Sequence, residues 1–353
     1  MIFKNKCILV TGGTGSLGNR LVERILNNEL GRPKKVIIFS RDESKQHDMR
    51  VKWLNTQKKS DHIIFNNFKR ILEFRIGDIR NYSDIYSATK EANIVINCAA
   101  LKHVPVCEYF PDQALLTNCQ GSINLVKAIY ENNLKVECIV GISTDKAAGP
   151  VNVMGMTKAI QERILVASNI FLKKTKVINV RYGNVINSRG SVIPLFVHQI
   201  KNNKNLTLTN EHMTRFLLSI DEAVDTIFFA IKNAKSGEVI VPKAPSCKVL
   251  DLAYILSQNK NYKGKIKIIG ERPAEKIHEI MVTSQEARYC YKLKNYFRIL
   301  PMLPELTKKI KSKNLAFNGE YSSKSPIISR EEVKKILIKN KILDGKKNFV
   351  KVL

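Results

Sequence analysis

The chain is expected to form an α/β fold, a doubly wound parallel sheet with a smaller, interleaved C-terminal lobe. Three observations predict it. Through the first half, short apolar runs alternate with stretches of helical spacing, as repeated βα units require. The first run ends in a glycine-rich turn, TGGTGSLG (Thr11 to Gly18), that opens a helix. After Asn184 the alternation breaks into short strands, loops and helices, and a chain of 353 residues is long enough for one large or two smaller cores.

In order, CILVTGG reads as the first strand and its turn, and Leu17, Leu21 and Ile25 place a helix over 16–27. VIIFS (36–40) is the second strand and FRIGD (74–78) the third, with a polar insertion at about 56–72 between them. IVINCAA (94–100), VECIVGIS (136–143) and KVINVRYGN (176–184) follow as strands, with long helices predicted over 112–133 and 153–171. Residues 1–184 are expected to form one domain, helped by elements from about 216–242. Residues 185–345 are expected to form the second lobe, ending in an amphipathic helix over 330–343 packed on the body.

Net charge is +28, from 59 Lys and Arg against 31 Asp and Glu. The lysines are scattered, and no aromatic-plus-basic module is present, so nucleic acid is not an expected partner. The charge still favours a ligand bearing phosphates. No apolar run reaches membrane-spanning length and the N-terminus carries no cleavable leader pattern, so a cytoplasmic chain without a membrane partner is expected. Seven cysteines without a C-x-x-C pair read as reduced, buried thiols. Cys98, His103 and Cys107 lack a fourth ligand for zinc, so no metal site is expected.

Gly12, Gly15 and Gly18 follow a strand and open a helix, which permits a pyrophosphate to sit on the helix N-terminus beside Thr11, Ser16 and Leu17. The second strand ends FSRDESK. Ser40, Arg41 and Lys45 there suit the 2′-phosphate of NADP, while Asp42 and Glu43 keep NAD open. Asp78 and Ile79 fall where the adenine would lie. Ala99 and Ala100 fall on the nicotinamide side, in CAALKHVP (98–105).

TGGTGSLG, FSRDESKQ, GDIR, CAALKHVP, STDKA, RYGN with SRGSVIPLF, MTRF and ERPAEKIHE together resemble the extended short-chain dehydrogenase/reductases. Among these, the set is most similar to the inverting UDP-N-acetylglucosamine 4,6-dehydratases of surface-polysaccharide synthesis. The resemblance implies a homo-oligomeric enzyme that binds UDP-N-acetylglucosamine. Such an enzyme oxidises the sugar at C4, eliminates water across C5 and C6, and returns the hydride to C6. It also implies roles: Asp145 and Lys146 as acid and base, Lys158 on the nicotinamide ribose, and Lys102, His103, Thr117, Asn118 and Tyr182 lining cofactor and sugar. Asn184, Ser188, Arg189, Gly190, Ser191, Val192, Thr207, Met213, Arg215, Arg272 and Glu275 would hold the UDP group.

Chemistry supports these roles. A C4 ketone acidifies the C5 proton, and Lys146 could remove it if burial or a positive neighbour such as Lys158 lowers its pKa. Asp145 would need a desolvated setting that keeps it protonated. Two positions depart from the resemblance. Ala274 replaces the glycine of R-P-G-E-K. Met154 stands where Y-x-x-x-K places a tyrosine, and a thioether exchanges no proton. A subset of the inverting dehydratases also carries methionine there, so Met154 is expected to wall the sugar pocket while the Asp145–Lys146 pair handles the C4 proton. A UDP-sugar 4-epimerase or C4 reductase, or a non-catalytic NADP-binding sensor, is the alternative.

Overall fold

The computed structural model describes residues 1–55, 62–188, 190–258, 262–271, 273–307 and 315–344. Its first half builds β1 (Cys7–Thr11), β2 (Lys35–Ser40), β3 (Leu72–Ile76), β4 (Ile94–Asn97), β5 (Cys138–Thr144) and β6 (Lys176–Tyr182). Between them run α1 (Ser16–Leu26), α2 (Glu43–Asn55), α3 (His62–Ile71), α4 (Tyr82–Thr89), α5 (Val104–Tyr109), α6 (Pro111–Ala114), α7 (Gly121–Glu131) and α8 (Val153–Ser168). Every residue of β1 and β4 is buried, as expected of parallel strands covered on both faces.

The second half adds α9 (Val192–Lys201), β7 (Leu206–Leu208), β8 (Thr214–Phe216), α10 (Ile220–Asn233), β9 (Val239–Pro242), β10 (Ser246–Lys248) and α11 (Val249–Ser257). Then come β11 (Ile266–Ile268), β12 (Ile280–Val282), α12 (Ser284–Ala287), β13 (Cys290–Leu293), β14 (Tyr296–Ile299), β15 (Tyr321–Ser322) and α13 (Arg330–Lys339). The main sheet has nine strands in the order β13-β14-β9-β6-β5-β4-β1-β2-β3, parallel from β3 to β9. This is the doubly wound arrangement expected, and its strand order reverses between β1 and β4.

α10 returns from the second half to pack on α1. Arg20 Nε reaches Asp221 Oδ1 at 2.6 Å, Arg24 Nη2 reaches Asp225 Oδ1 at 2.6 Å, and a Ser219–Glu222 capping box fixes where α10 begins. The β13–β14 hairpin, read from sequence as part of the second lobe, extends the main sheet beside β9 instead. The second core gathers Phe196, Leu206, Leu252 and Leu256 with Val333 and Leu337 of α13.

Several boundaries move. β3 occupies 72–76 rather than 74–78, because Gly77 lies against the Phe39 ring and the chain turns there. The described part of the expected polar insertion is helix α3, which buries Phe68 in a stack on Trp53 at 6.3 Å. The 112–133 helix is broken by a π-helical turn at Leu115–Gln120, and α13 ends at Lys339, before the positive φ of Lys341. All seven cysteines are unpaired, and six of them are buried. Among the described residues, no helix is long and apolar enough to cross a membrane.

Candidate active site

The carboxyl ends of β1 and β4 meet at the switch point, beneath the glycine-rich turn. Gly12 has a φ of +62°, and a β-carbon there would stand 2.9 Å from the Ala99 Cα. A β-carbon on Gly18 would stand 2.6 Å from the Gly13 Cα, so only glycine lets α1 press onto the turn. Gly15 is the N-cap of α1, no side chain caps it, and the first turn holds no acidic residue. Those open amides and the helix dipole fit a dinucleotide pyrophosphate over Ser16 and Leu17. The Thr11 hydroxyl donates to Asn97 Oδ1 at 2.6 Å and accepts from Ala99 N at 3.2 Å. It stitches the two strand ends together and shapes the approach to Ala100.

At the end of β2, Gln46 Nε2 donates to the Ser40 carbonyl at 3.1 Å and hydroxyl at 3.0 Å. The Arg41 side chain is 51% exposed and its Nη1 lies 3.5 Å from Asp78 Oδ2, while Lys45 pairs with Asp42. Arg80 grips Asp78 from Nε at 2.8 Å and Nη2 at 2.6 Å. Burial opposes ionisation of Asp78, but the Arg80 bonds prevail and hold its carboxyl below the usual range. Ile79 is buried beneath Gly121.

The π-helical turn carries Thr117 and Asn118, and such turns mark functional sites often enough to draw notice. Asn118 accepts from Leu101 N at 2.9 Å and donates to Leu101 O at 3.0 Å and Thr157 Oγ1 at 3.0 Å. It thereby holds the loop bearing Lys102 and His103. Thr117 Oγ1 is buried without a partner among the described residues.

The catalytic segment follows β5. Asp145–Ala147 forms one 3-10 turn, and α8 begins behind the Asn152 cap, which accepts from Gly155 N at 2.8 Å. A β-carbon on Gly155 would lie 2.3 Å from the Lys146 carbonyl, so this glycine lets α8 touch the turn. Asp145 is 1% exposed. Its Oδ1 accepts from Thr144 Oγ1 at 2.8 Å and Lys146 Nζ at 3.1 Å, and its Oδ2 is buried without a described partner. Burial pushes this carboxyl up and the repulsion of Glu279 adds to that, although Lys146 pulls against it.

Lys146 departs from expectation. Burial does act to lower its pKa, but Asp145 at 3.1 Å and Glu279 Oε1 at 2.8 Å outweigh that and raise it. The positive charge near it comes from Arg215 and Lys276 rather than from Lys158. Lys158 is the lysine whose pKa falls, to about 8, through burial; its Nζ donates to Ile142 O at 2.5 Å and to Gln161. Tyr182, at the end of β6, is buried, and that burial drives its phenol far above its usual value. Met154 packs with Cys107 and Ala114, flanked by Leu101 and Val104.

In the second half, Arg215 donates from Nη1 to Thr214 O at 2.8 Å and Ile277 O at 3.0 Å, and from Nη2 to Lys276 O at 3.0 Å. Its carboxylate neighbours are Glu275 Oε1 at 3.5 Å and Glu279 Oε1 at 3.7 Å. Much of this guanidinium therefore organises the 275–279 segment beside Lys146. Glu275 Oε2 and Asn184 Oδ1 are buried without described partners. Gly190, with φ +76°, lies under the His103 ring and so meets the β4 loop; Ser191 is the N-cap of α9, its hydroxyl donating to Ser188 O at 2.7 Å rather than capping the helix. Thr207 Oγ1 accepts from Gln199 at 2.9 Å, and Met213 is buried in the second core. Arg189 and Arg272 lie outside the described residues.

Sequence reasoning assigned nothing to three residues that the fold brings in. Glu279 ends the ERPAEKIHE stretch, and only its charge hinted at a site role. Arg181, fully buried, joins Glu162 of α8 at 2.6 Å to Glu286 of α12 at 2.8 Å. Asn152 Nδ2 donates to Ala274 O at 3.0 Å, tying α8 to the second lobe.

Comparison with known proteins places this geometry. Residues 8–301 match the family described as polysaccharide biosynthesis protein. A Rickettsia bellii protein named UDP-glucose 4-epimerase is 41% identical over 346 residues, covering 96% of each chain. One of the same name from Rickettsia rickettsii is 40% identical over the same length. The X-ray structure of Pen from Bacillus thuringiensis superposes with a TM-score of 0.83 at 34% identity, over 96% of this chain and 100% of that one. A dTDP-glucose 4,6-dehydratase from Streptomyces venezuelae shares the fold, with a TM-score of 0.65 at 18% identity over 77% of this chain and 86% of that one. The chain belongs to the polysaccharide biosynthesis protein family, enzymes of the sugar-nucleotide epimerase/dehydratase class.

Proposed function

We propose that the protein is an NADP-dependent UDP-N-acetylglucosamine 4,6-dehydratase that inverts C5. The observation that carries this reading is Asp145: a buried carboxyl whose pKa burial raises, with Oδ2 unpartnered among the described residues and Lys146 on its other oxygen. Elimination of water requires a proton donor for the departing C6 hydroxyl, and a desolvated acid of this kind suits that task.

A bound nicotinamide would supply the hydride acceptor for C4 and the hydride donor for C6. The remaining steps belong to the chain. Asp145, as carboxylate, takes the C4 hydroxyl proton at Oδ2 and later delivers it to the C6 hydroxyl, which leaves as water. Lys146 removes the C5 proton once its own proton has passed to a carboxylate in contact with it, since the amine is otherwise an ammonium. C5 then takes a proton from solvent on the opposite face, and the proton that Lys146 removed is released to solvent. This yields a UDP-2-acetamido-2,6-dideoxy-L-arabino-hexos-4-ulose. Met154, buried against Cys107 and Ala114, would contribute an apolar wall to the sugar pocket.

Arg41, exposed at the end of β2, supports NADP, because its guanidinium can turn from Asp78 to a 2′-phosphate. A cytoplasmic, homo-oligomeric enzyme fits the same reading.

A second reading, UDP-sugar 4-epimerase, is favoured by the name carried by the Rickettsia relatives. It would use the same pair to shuttle only the C4 proton. The mass of the product from UDP-N-acetylglucosamine separates the two. Loss of one water supports the dehydratase, and an isomer of unchanged mass supports the epimerase.

A further inference from the structure

We propose that Glu279 is the positioning residue of the Asp145–Lys146 pair: it is the counter-ion of Lys146, leaving Asp145 Oδ2 free to exchange protons with the sugar. This rests on the reading of Asp145 and Lys146 as the catalytic pair.

The placement of Glu279 is built rather than incidental. It is 2% exposed, immediately before β12, and its backbone is clamped on both sides by Ser323. Glu279 N donates to Ser323 Oγ at 2.9 Å and Ser323 N donates to Glu279 O at 2.8 Å. Ser323 Oγ is itself held by Thr214 Oγ1 at 2.7 Å, next to Arg215. An ionised carboxylate this deep costs several kcal/mol unless it is paired. Its pairing is Lys146 Nζ at 2.8 Å, closer than Asp145 lies to the same nitrogen at 3.1 Å.

Counting charges explains why two carboxylates flank one ammonium. Asp145 faces Lys146 on its own turn, with Glu279 and Lys276 opposite from the 275–279 segment. Glu279 faces Lys146, Arg215 on β8 and Lys276, and those cations hold it ionised against the cost of burial. Arg215 also takes Glu275, so Lys146 and Arg215 are balanced by Glu279 and Glu275 without calling on Asp145. Environments that push two neighbouring acids apart assign them different tasks. Asp145 becomes the proton carrier and Glu279 the fixed anion.

The sign of the effect on Asp145 is unambiguous. Removing the Glu279 charge removes a repulsion that raises the Asp145 pKa, and it turns the whole Lys146 ammonium onto Asp145. Both changes lower it.

The test is the titration of Asp145 in the unliganded chain, followed by carbon-13-labelled aspartate and assigned with Asp145→Asn. Glu279→Gln should drop the Asp145 pKa by about one unit or more, with Glu279→Asp in between. An unchanged Asp145 titration in Glu279→Gln overturns the proposal. Should that variant fail to fold, a Glu279→Asp titration identical to wild type overturns it equally. On UDP-N-acetylglucosamine, kcat of Glu279→Gln should fall at least about 100-fold with KM within about threefold, and the alkaline limb of its pH profile should move to lower pH. Wild-type kcat in Glu279→Gln also overturns the proposal. Because the titration needs no turnover, a wild-type enzyme inactive on this sugar would sink the functional reading and still leave Glu279 decided.

Discussion

Lys146 Nζ lies 2.8 Å from Glu279 Oε1 and 3.1 Å from Asp145 Oδ1, so one ammonium bridges two buried carboxylates 134 residues apart in the chain. That bridge makes the lysine a stronger cation than its burial alone would allow, and it separates the two acids into a fixed anion and a titrating group.

The affinity for a nicotinamide dinucleotide should fall as pH rises through about 8. Burial lowers the Lys158 pKa to about 8, so the free enzyme loses this cation above that value and keeps it below. Calorimetric titration from pH 6.5 to 9.5 checks this, and Lys158→Met should flatten the dependence.

Arg41→Ala should weaken NADP by about 10- to 100-fold, since a charge-assisted guanidinium–phosphate contact is worth about 1.5–3 kcal/mol. NAD, lacking that phosphate, should change by less than about twofold. Equal losses measured for both cofactors would remove Arg41 from the 2′ position.

Ala274 holds a left-handed φ of +59° while its carbonyl accepts from Asn152 at 3.0 Å. Such a conformation costs an alanine about 1 kcal/mol that glycine does not incur. Ala274→Gly should therefore raise the unfolding midpoint by about 1–3 °C, measured by calorimetry. A lowered midpoint would mean that the strain is absent.

Much of this arrangement was legible in the chain. The apolar runs of β1, β4, β5 and β6 announce buried parallel strands, and Gly12 and Gly18 stand where backbone contacts of 2.9 and 2.6 Å exclude a side chain. α3 was not legible, because the polar residues around it hide a short apolar face that folding buries, with Phe68 stacked on Trp53 of α2. The β13–β14 hairpin was missed since its partner, β9, lies some 50 residues upstream, a pairing no local pattern encodes. The protonation bias of Lys146 was misjudged for a related reason. Asp145 next to it raises it most, and Glu279, which only tertiary structure delivers, adds to that against the cost of burial.

Met154→Ala should destabilise the fold by about 2–4 kcal/mol, the usual loss for emptying a packed thioether site such as this one beside Cys107 and Ala114. Turnover should fall but persist, whereas Lys146→Ala should abolish it with cofactor affinity intact. Steady-state kinetics on the two variants checks this. Loss of activity in Met154→Ala as complete as in Lys146→Ala would give the methionine more than a packing role.

The most direct test of the account is the reaction of UDP-N-acetylglucosamine with the NADP-loaded enzyme in deuterated water, with the product read by mass and proton NMR. The account predicts a product that has lost one water and carries solvent deuterium at an inverted C5, in the L-arabino configuration. An isomeric hexosamine of unchanged mass, or a dehydrated product with C5 retained, would contradict it.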